Sequence, residues 1–310
     1  MKKIALSFAA LAISAGSALA ADLPSRKAAP MLPPPPPPAP LWTGFYVGLN
    51  AGGTWANSNM QAIAVGPVAY TDGYPIGRQG ALSSHLAAFS SAATVSAANS
   101  GANSGFIGGG QIGYNWQFYG SLVAGVEADI QGIAGNNGGG TIATAAAVGN
   151  GSSYIGLHSV RGSLDYLGTV RGRLGWLFTP TLLVYGTGGL SYGGVTLNAA
   201  SNVFNDVLAG NGALPPSIGG VNFSNTQVGW TAGGGVEWMF MPNWSAKVEY
   251  LYYDLGTITQ NFALASVNAA GTQSALFGGQ VRARANGNIV RAGLNYHFNW
   301  GAPAPVIAKY

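Results

Sequence analysis

The stretch from Phe45 to Trp55, FYVGLNAGGTW, alternates with period two along its whole length. Phe45, Val47, Leu49, Ala51, Gly53 and Trp55 share one face, and Tyr46, Gly48, Asn50, Gly52 and Thr54 share the other, because successive strand residues point to opposite sides. One face is oily and the other small or polar. The stretch from Ile289 to Phe298 repeats the pattern: Val290, Ala292, Leu294, Tyr296 and Phe298 oppose Ile289, Arg291, Gly293, Asn295 and His297. Neither segment has helical spacing, so the chain is read as strands with one apolar face.

Working outward, the same alternation marks Phe106 to Trp116, Leu122 to Gln131, Leu164 to Trp176, Leu182 to Tyr192, Gln227 to Phe240 and Trp244 to Tyr253. The connections Gln117 to Ser121, Leu177 to Thr181 and Met241 to Asn243 are short. Long polar or Gly-rich connections follow the first, third, fifth and seventh strands. This rhythm predicts an all-β protein, an eight-stranded antiparallel up-and-down transmembrane β-barrel with short periplasmic turns and long extracellular loops. Both termini then lie in the periplasm.

Composition agrees. Charged residues are 7% of the chain, against about 25% in soluble domains, and mean hydropathy is +0.23. Yet beyond the N-terminus there is no continuous apolar run of the roughly 18 residues a membrane helix needs. The hydrophobicity is spread out along strands. Cysteine is absent, which excludes lipid attachment through that residue.

Residues 1–20 read as a signal peptide, with Lys2 and Lys3 before an apolar core and Ala18-Leu19-Ala20 as the cleavage site. Removing those two lysines from the 13 basic side chains leaves 11 against 9 acidic ones. No basic stripe supports a nucleic-acid partner. Residues 21–41 form a Pro-rich periplasmic linker, its run Pro33 to Pro38 suited to polyproline II. It is either a passive leader or a contact for another periplasmic component. The barrel is assigned to 42–300 and a C-terminal tail to 301–310.

Charges within strands give an independent test of facing. Glu127 and Asp129 oppose Val126, Ala128 and Ile130; Arg171 and Arg173 oppose Val170, Leu174 and Trp176; Glu237 opposes Val236 and Trp238. Lys247 and Glu249 oppose Val248 and Tyr250, and Arg291 opposes the terminal oily face. An arginine facing lipid at the midplane would cost about 2 to 4 kcal/mol, so these eight groups are placed inside as an ion-pair network, with Asp165 nearer a rim. A barrel of this size has an interior that side chains can fill. Two readings stay open: a polar plug, or a narrow, gated conduction path through it.

Trp42, Trp116, Trp176, Phe178, Phe240 and Trp244 gather at the short-turn ends and are read as the periplasmic aromatic girdle. The first loop, Ala56 to Gly105, is rich in Ala, Ser and Asn and is read as partly disordered: a hydrated coat, a recognition surface or a plug. Gly108, Gly110 and Gly113 match a dinucleotide-binding spacing, but they lie inside a strand pattern, so the match is accidental. His85, His158 and His297 are the only histidines. Two fall in expected loops and one at a strand end, so neither a catalytic nor a metal site is assigned, and no cofactor is expected.

The strings AADLPSRKAAP, WTGFYVGLNAGG, GVEADIQG, GTVRGRLGW, LVYGTGGLSYG, GWTAGGGVEW, VEYLYYDLG and NIVRAGLNYHF resemble the small outer-membrane β-barrel proteins of alphaproteobacteria, abundant in rhizobia and brucellae and related to the OmpA-type barrel. The resemblance covers all the strands but not the loops. It implies an integral outer-membrane protein, exported by a cleaved signal peptide, that supports envelope integrity, is porin-like at most and is not an enzyme. Its implied partners are outer-membrane lipid, lipopolysaccharide and the barrel-assembly machinery. Such barrels commonly end on an assembly-signal Phe, whereas here Phe298 is followed by twelve residues ending in Tyr310; either residue is a candidate. The alternative function is surface recognition or small-ligand binding through the long loops.

Overall fold

The computed structural model describes residues 41–56, 61–70, 79–98, 104–135, 137–149, 151–206, 214–267 and 273–298. The signal peptide, nearly all of the linker, and the tail with Tyr310 lie outside the described residues. The compact unit that holds the described residues starts at Pro40.

Its elements are β1 (Gly44–Ala56), β2 (Gln61–Tyr70), α1 (Gln79–Ala93), β3 (Val95–Ala98), β4 (Ser104–Phe118), β5 (Leu122–Ala134), β6 (Asn137–Ala147), β7 (Ser153–Thr179), β8 (Leu182–Asn205), β9 (Ser217–Met241), β10 (Trp244–Val267) and β11 (Gln273–Phe298). All eleven strands among the described residues join one sheet and every pairing is antiparallel. The ladder runs β1-β4-β5-β7-β8-β9-β10-β11 and returns to β1 through Phe45↔Phe298 to Ala56↔Gly287. Closure leaves this ring without an edge, so every strand in it has two neighbours to satisfy its backbone.

The strand count differs from the eight expected, because β2, β3 and β6 lie where the sequence suggested loops. The connections at the other end are as short as their residues suggest. Tyr119 and Gly120 both have positive φ, 49° and 75°, within the three-residue connection that leaves Phe118 opposite Leu122. Pro242 and Asn243, the latter at φ 73°, fit the central positions of a type II turn.

Five ring strands are far longer than a membrane needs. β7 to β11 run 24 to 27 residues, against about 9 to 11 for a tilted transmembrane strand. β1, β4 and β5 stop at 13 to 15 residues. Above them the long wall continues, with β6 added to β7 and β2 added to β11. The molecule therefore has a lower tier formed by the ring and an upper tier built on β7 to β11.

In the lower tier, apolar side chains point out and polar ones point in; in the upper tier the polarity is reversed. Along β8, Val184 and Leu190 are exposed below, while above them Val195, Leu197, Ala199 and Val203 are buried. In β7 a register shift between Leu164 and Tyr166 moves the inward set from odd to even residues. A second shift, between Asp254 and Thr257, does so in β10 near Gly256, whose φ is 84°. Each extra residue turns the following side chains to the other face. This is why the expected connections looked polar and irregular although they continue the strands.

Helix α1 fills the concave side of the upper tier, so the first connection is not simply a hydrated coat. Phe89, Ala92 and Ala93 are fully buried, and Phe89 stacks on Phe277 at 4.1 Å with its edge partner Tyr154 at 5.5 Å. Around them pack Ile63, Val65, Val95, Val160, Leu197, Leu264 and Val281. An uncharged helix of small residues fits because the wall supplies the large ones.

Candidate functional site

The outward face of the lower tier carries two aromatic levels. Phe45, Trp116, Trp176, Phe178, Phe240 and Trp244 are exposed at the short-turn end. Trp55, Phe106, Trp230 and Tyr250 are exposed at the other, a level the sequence reading did not identify. Phe45 and Trp55 are ten residues apart, about 33 Å along a strand and about 25 Å once tilted by some 40°, the height of a barrel's apolar band. Between the levels lie Leu49, Ile112, Val126, Ile130, Val170, Leu174, Val236, Val248 and Leu294, all exposed.

Trp42 does not belong to this girdle. It is fully buried and enters the lumen at the short-turn end, because the chain turns inward before β1 begins. Its indole N–H donates to the Pro180 carbonyl at 3.0 Å, and its backbone N–H donates to Gln117 Oε1 at 3.2 Å. The ring meets His297 edge to face at 5.8 Å and packs with Val123, Leu177, Leu183, Tyr185 and Met239.

Above that cluster, Glu127, Asp129, Arg171, Arg173, Glu237, Lys247, Glu249 and Arg291 are each 5% exposed or less. They meet in one layer. Arg171 on β7 pairs with Glu127, with Asp129 at 2.9 Å and with Glu249 at 2.9 Å. Arg291 on β11 pairs with Asp129 at 2.9 Å and Glu249 at 2.6 Å. Lys247 on β10 reaches across to Glu127 on β5 at 2.9 Å, so the lumen is no wider than one lysine and one glutamate laid end to end. Arg173 takes Glu237 at 2.6 Å. Asp165, by contrast, is exposed on the outer face.

Side chains outside the predicted set complete the layer. Tyr46 donates to Glu127 at 2.6 Å, and Thr169 and Gln131 donate to Asp129, each at 2.8 Å. Ser245 and Asn295 donate to Glu237 at 2.6 and 2.7 Å, while Tyr185 donates to Glu249 at 3.2 Å. All of them occupy inward positions of ring strands, Tyr46 on β1 and Tyr185 on β8 and the others on strands that carry the charges, so the alternation already marked their face. What it could not show was which of them meet. A buried carboxylate is costly unless several donors surround it, and each of these four has at least three.

Room for the long cations comes from glycine. Gly52 pairs with Arg291 and Gly189 with Arg171, and a Cβ on either would overlap the neighbouring strand and crowd the arginine Cα. Above the layer, Ile107, Leu167, Leu251 and Ile289 are buried at 0% exposure and merge with the upper-tier core. Below it lies the cluster around Trp42. The charged layer is thus held between two apolar seals.

His297 lies at the end of β11 as expected, but the other two histidines do not lie in loops. His85 is on α1 and His158 is inside β7, both buried. His158 Nδ1 contacts Ser201 Oγ at 2.9 Å, and its Nε2 lies 2.9 Å from the Ala92 carbonyl, so it ties the end of α1 to the wall. Its sequence neighbours Ser159 and Asp165 are not its partners. Tyr154 accepts from the Leu214 N–H at 2.7 Å and contacts His85 Nδ1 at 3.1 Å. Burial lowers the pKa of both histidines, opposed in His158 by the Ala92 carbonyl. Gly108, Gly110 and Gly113 lie within β4, not between a strand and a helix. Phe298, the last described residue, ends β11 opposite Phe45.

Residues 8–298 match the family model described as "Outer membrane protein beta-barrel domain". The chain is 33% identical over 299 residues to the 31 kDa outer-membrane immunogenic protein of Brucella melitensis, covering 96% of this chain and 100% of that one. It is 31% identical over 148 residues to the 22 kDa outer membrane protein of Rhizobium leguminosarum bv. viciae, covering 47% of this chain and 52% of that protein. Among solved structures, the outer membrane protein OprG of Pseudomonas aeruginosa aligns over 83% of this chain and 97% of its own, at 10% identity and a TM-score of 0.35. An antiparallel sheet closed on itself, with an apolar outer band, is thus joined to sequence relatives in the outer membranes of alphaproteobacteria, and the chain belongs to the outer membrane protein β-barrel family.

Proposed function

We propose that this outer-membrane protein is a structural barrel that contributes to envelope integrity and does not conduct at rest. Its membrane span is the eight strands β1, β4, β5 and β7 to β11, with the short turns in the periplasm and the upper tier outside. The observation that carries the reading is the ion-pair layer closed above and below by apolar side chains. Moving an ion through it would require breaking buried pairs in a low-dielectric interior. The same pairs tie β5 to β10 and β11 across the lumen and so stiffen the cylinder. In this reading the protein performs no catalysis, and its contacts are outer-membrane lipid, lipopolysaccharide and, during insertion, the assembly machinery.

Planar-bilayer recording of the refolded protein tests this. Silence is expected; reproducible open steps that vanish in Arg171→Ala would replace the plug with a gated pore. A strain lacking the protein should become more sensitive to detergent, and a barrel without the segment 57–103 should restore resistance. Recognition by the upper tier is a second reading, favoured by strands that run more than ten residues past the aromatic level and carry a packed helix. If removing 57–103 abolishes cell-surface or ligand binding and leaves detergent resistance intact, recognition is a separate function of that tier.

A further inference from the structure

The two seals differ in how they are attached. The upper one is made of ladder residues and a helix inside a large core. The lower one depends on a side chain outside the ladder, since Trp42 precedes β1 and sits in a turn. Three hydrogen bonds hold its short arm: Trp42 N–H to Gln117 Oε1 at 3.2 Å, the Gln117 N–H to Thr43 Oγ1 at 3.1 Å and the Trp42 indole to Pro180 at 3.0 Å. None is a strand-to-strand bond of the ring, so the arm can leave without opening the barrel.

Its position is the mouth itself. Pro180 belongs to the β7–β8 turn, Met239 to the end of β9, Val123 to the start of β5 and His297 to the end of β11. The indole thus touches elements from most of the circumference at the short-turn end. One inward position above Gln117 on β4 lies Asn115, fully buried, with neither atom of its side-chain amide hydrogen-bonded. Directly beyond it are Gly125 and Arg173. A buried amide left unpaired this close to an arginine is a place that water would occupy if it could reach it.

We propose that Trp42 is the periplasmic stopper of the lumen, a displaceable plug whose indole separates the ion-pair layer from periplasmic water. This rests on the reading of the lumen as shut at rest.

The chain lacks cysteine, which makes single-cysteine reporters clean. Asn115→Cys reports the space behind Trp42 without breaking a hydrogen bond. Ser191→Cys, fully buried on β8 and also unpaired, reports the far side of the ion layer. Each is made in the full mature chain in nanodiscs and treated with a charged, membrane-impermeant thiol reagent, with heat-modifiable gel migration as the folding control. With Trp42 present, both cysteines should stay protected. With Trp42→Ala, Asn115→Cys should react at least about tenfold faster, while Ser191→Cys stays protected.

Trp42→Phe keeps an aromatic ring but loses the indole N–H and part of the volume, so intermediate labelling is expected even if the alanine variant fails to fold. A mature chain starting at Leu41 should remain shut, and one starting at Gly44 should open. Fast labelling of Asn115→Cys beside an intact Trp42 would overturn the shut lumen itself. Protection in every variant would overturn the stopper while leaving the shut lumen standing. Labelling of both cysteines in Trp42→Phe would show that Trp42 supports the whole barrel, not its mouth, and would also overturn the proposal.

Discussion

The lower and upper tiers are built from the same strands with opposite polarity. On β11, Arg291, Asn295 and His297 face inward below, whereas Ala275, Phe277, Val281 and Ala283 face inward above. On β7, Leu174 is outward and exposed below, and Tyr154, Val160 and Leu164 are buried above. What changes is the solvent. A wall bathed in lipid gains nothing by hiding its oily side chains and must hide its charges; a wall bathed in water does the reverse. One continuous ladder can cross that boundary because backbone pairing is indifferent to side-chain polarity.

The largest test of this contrast removes a charge from the lower layer. Arg171→Ala leaves Glu127, Asp129 and Glu249 short of a shared partner and should cost about 3 to 5 kcal/mol, read as a lower urea midpoint in heat-modifiability assays. In the upper tier the comparable change is Phe89→Ala, expected to cost about 3 kcal/mol of local stability. Hydrogen exchange should then quicken in α1 and leave β1, β4 and β5 unchanged; equal loss in both tiers would show that they fold as one unit.

A sharper pair uses one strand and one residue type. Leu174 and Leu157 are both outward and exposed on β7, one in the lower tier and one in the upper. Leu174→Arg should cost about 2 to 4 kcal/mol and Leu157→Arg less than about 0.5, measured by unfolding in lipid vesicles. Similar costs for the two would misplace the membrane boundary.

The smallest effect is that of pH on the upper tier. His85 and His158 are held below the ordinary histidine value by burial, so the unfolded tier binds more protons than the folded one as acid is added. Their contribution is complete above the unfolded pKa of about 6.5 and declines as pH falls through and below it. Protonating His85 at Nδ1 also turns a donor toward Tyr154, whose hydroxyl already accepts from Leu214. Amide exchange in α1 should therefore rise between pH 7 and 5, and His85→Phe should flatten that dependence.

Legibility followed the range of the interaction. The inward set of β1 could be read from eleven residues because alternation is local, and the turn at Tyr119 and Gly120 from its residues. The upper-tier extensions of β7 and β10 could not, since one extra residue near Asp165 and another near Gly256 break the alternation that would have revealed them. Trp42 was misplaced for a related reason. An aromatic beside a strand end looks the same whether it turns to lipid or into the mouth.

By itself, the sequence determined that the chain is a strand-built outer-membrane protein with ionised groups opposite its oily faces, because a two-residue period and its solvent are written within each strand. Only the tertiary structure decided which acid meets which base, that the wall inverts its polarity above the aromatic level, and that Trp42 closes one end. Those outcomes depend on ring closure and stagger, which bring Lys247 to Glu127 across 120 residues of chain, and no local pattern encodes that meeting.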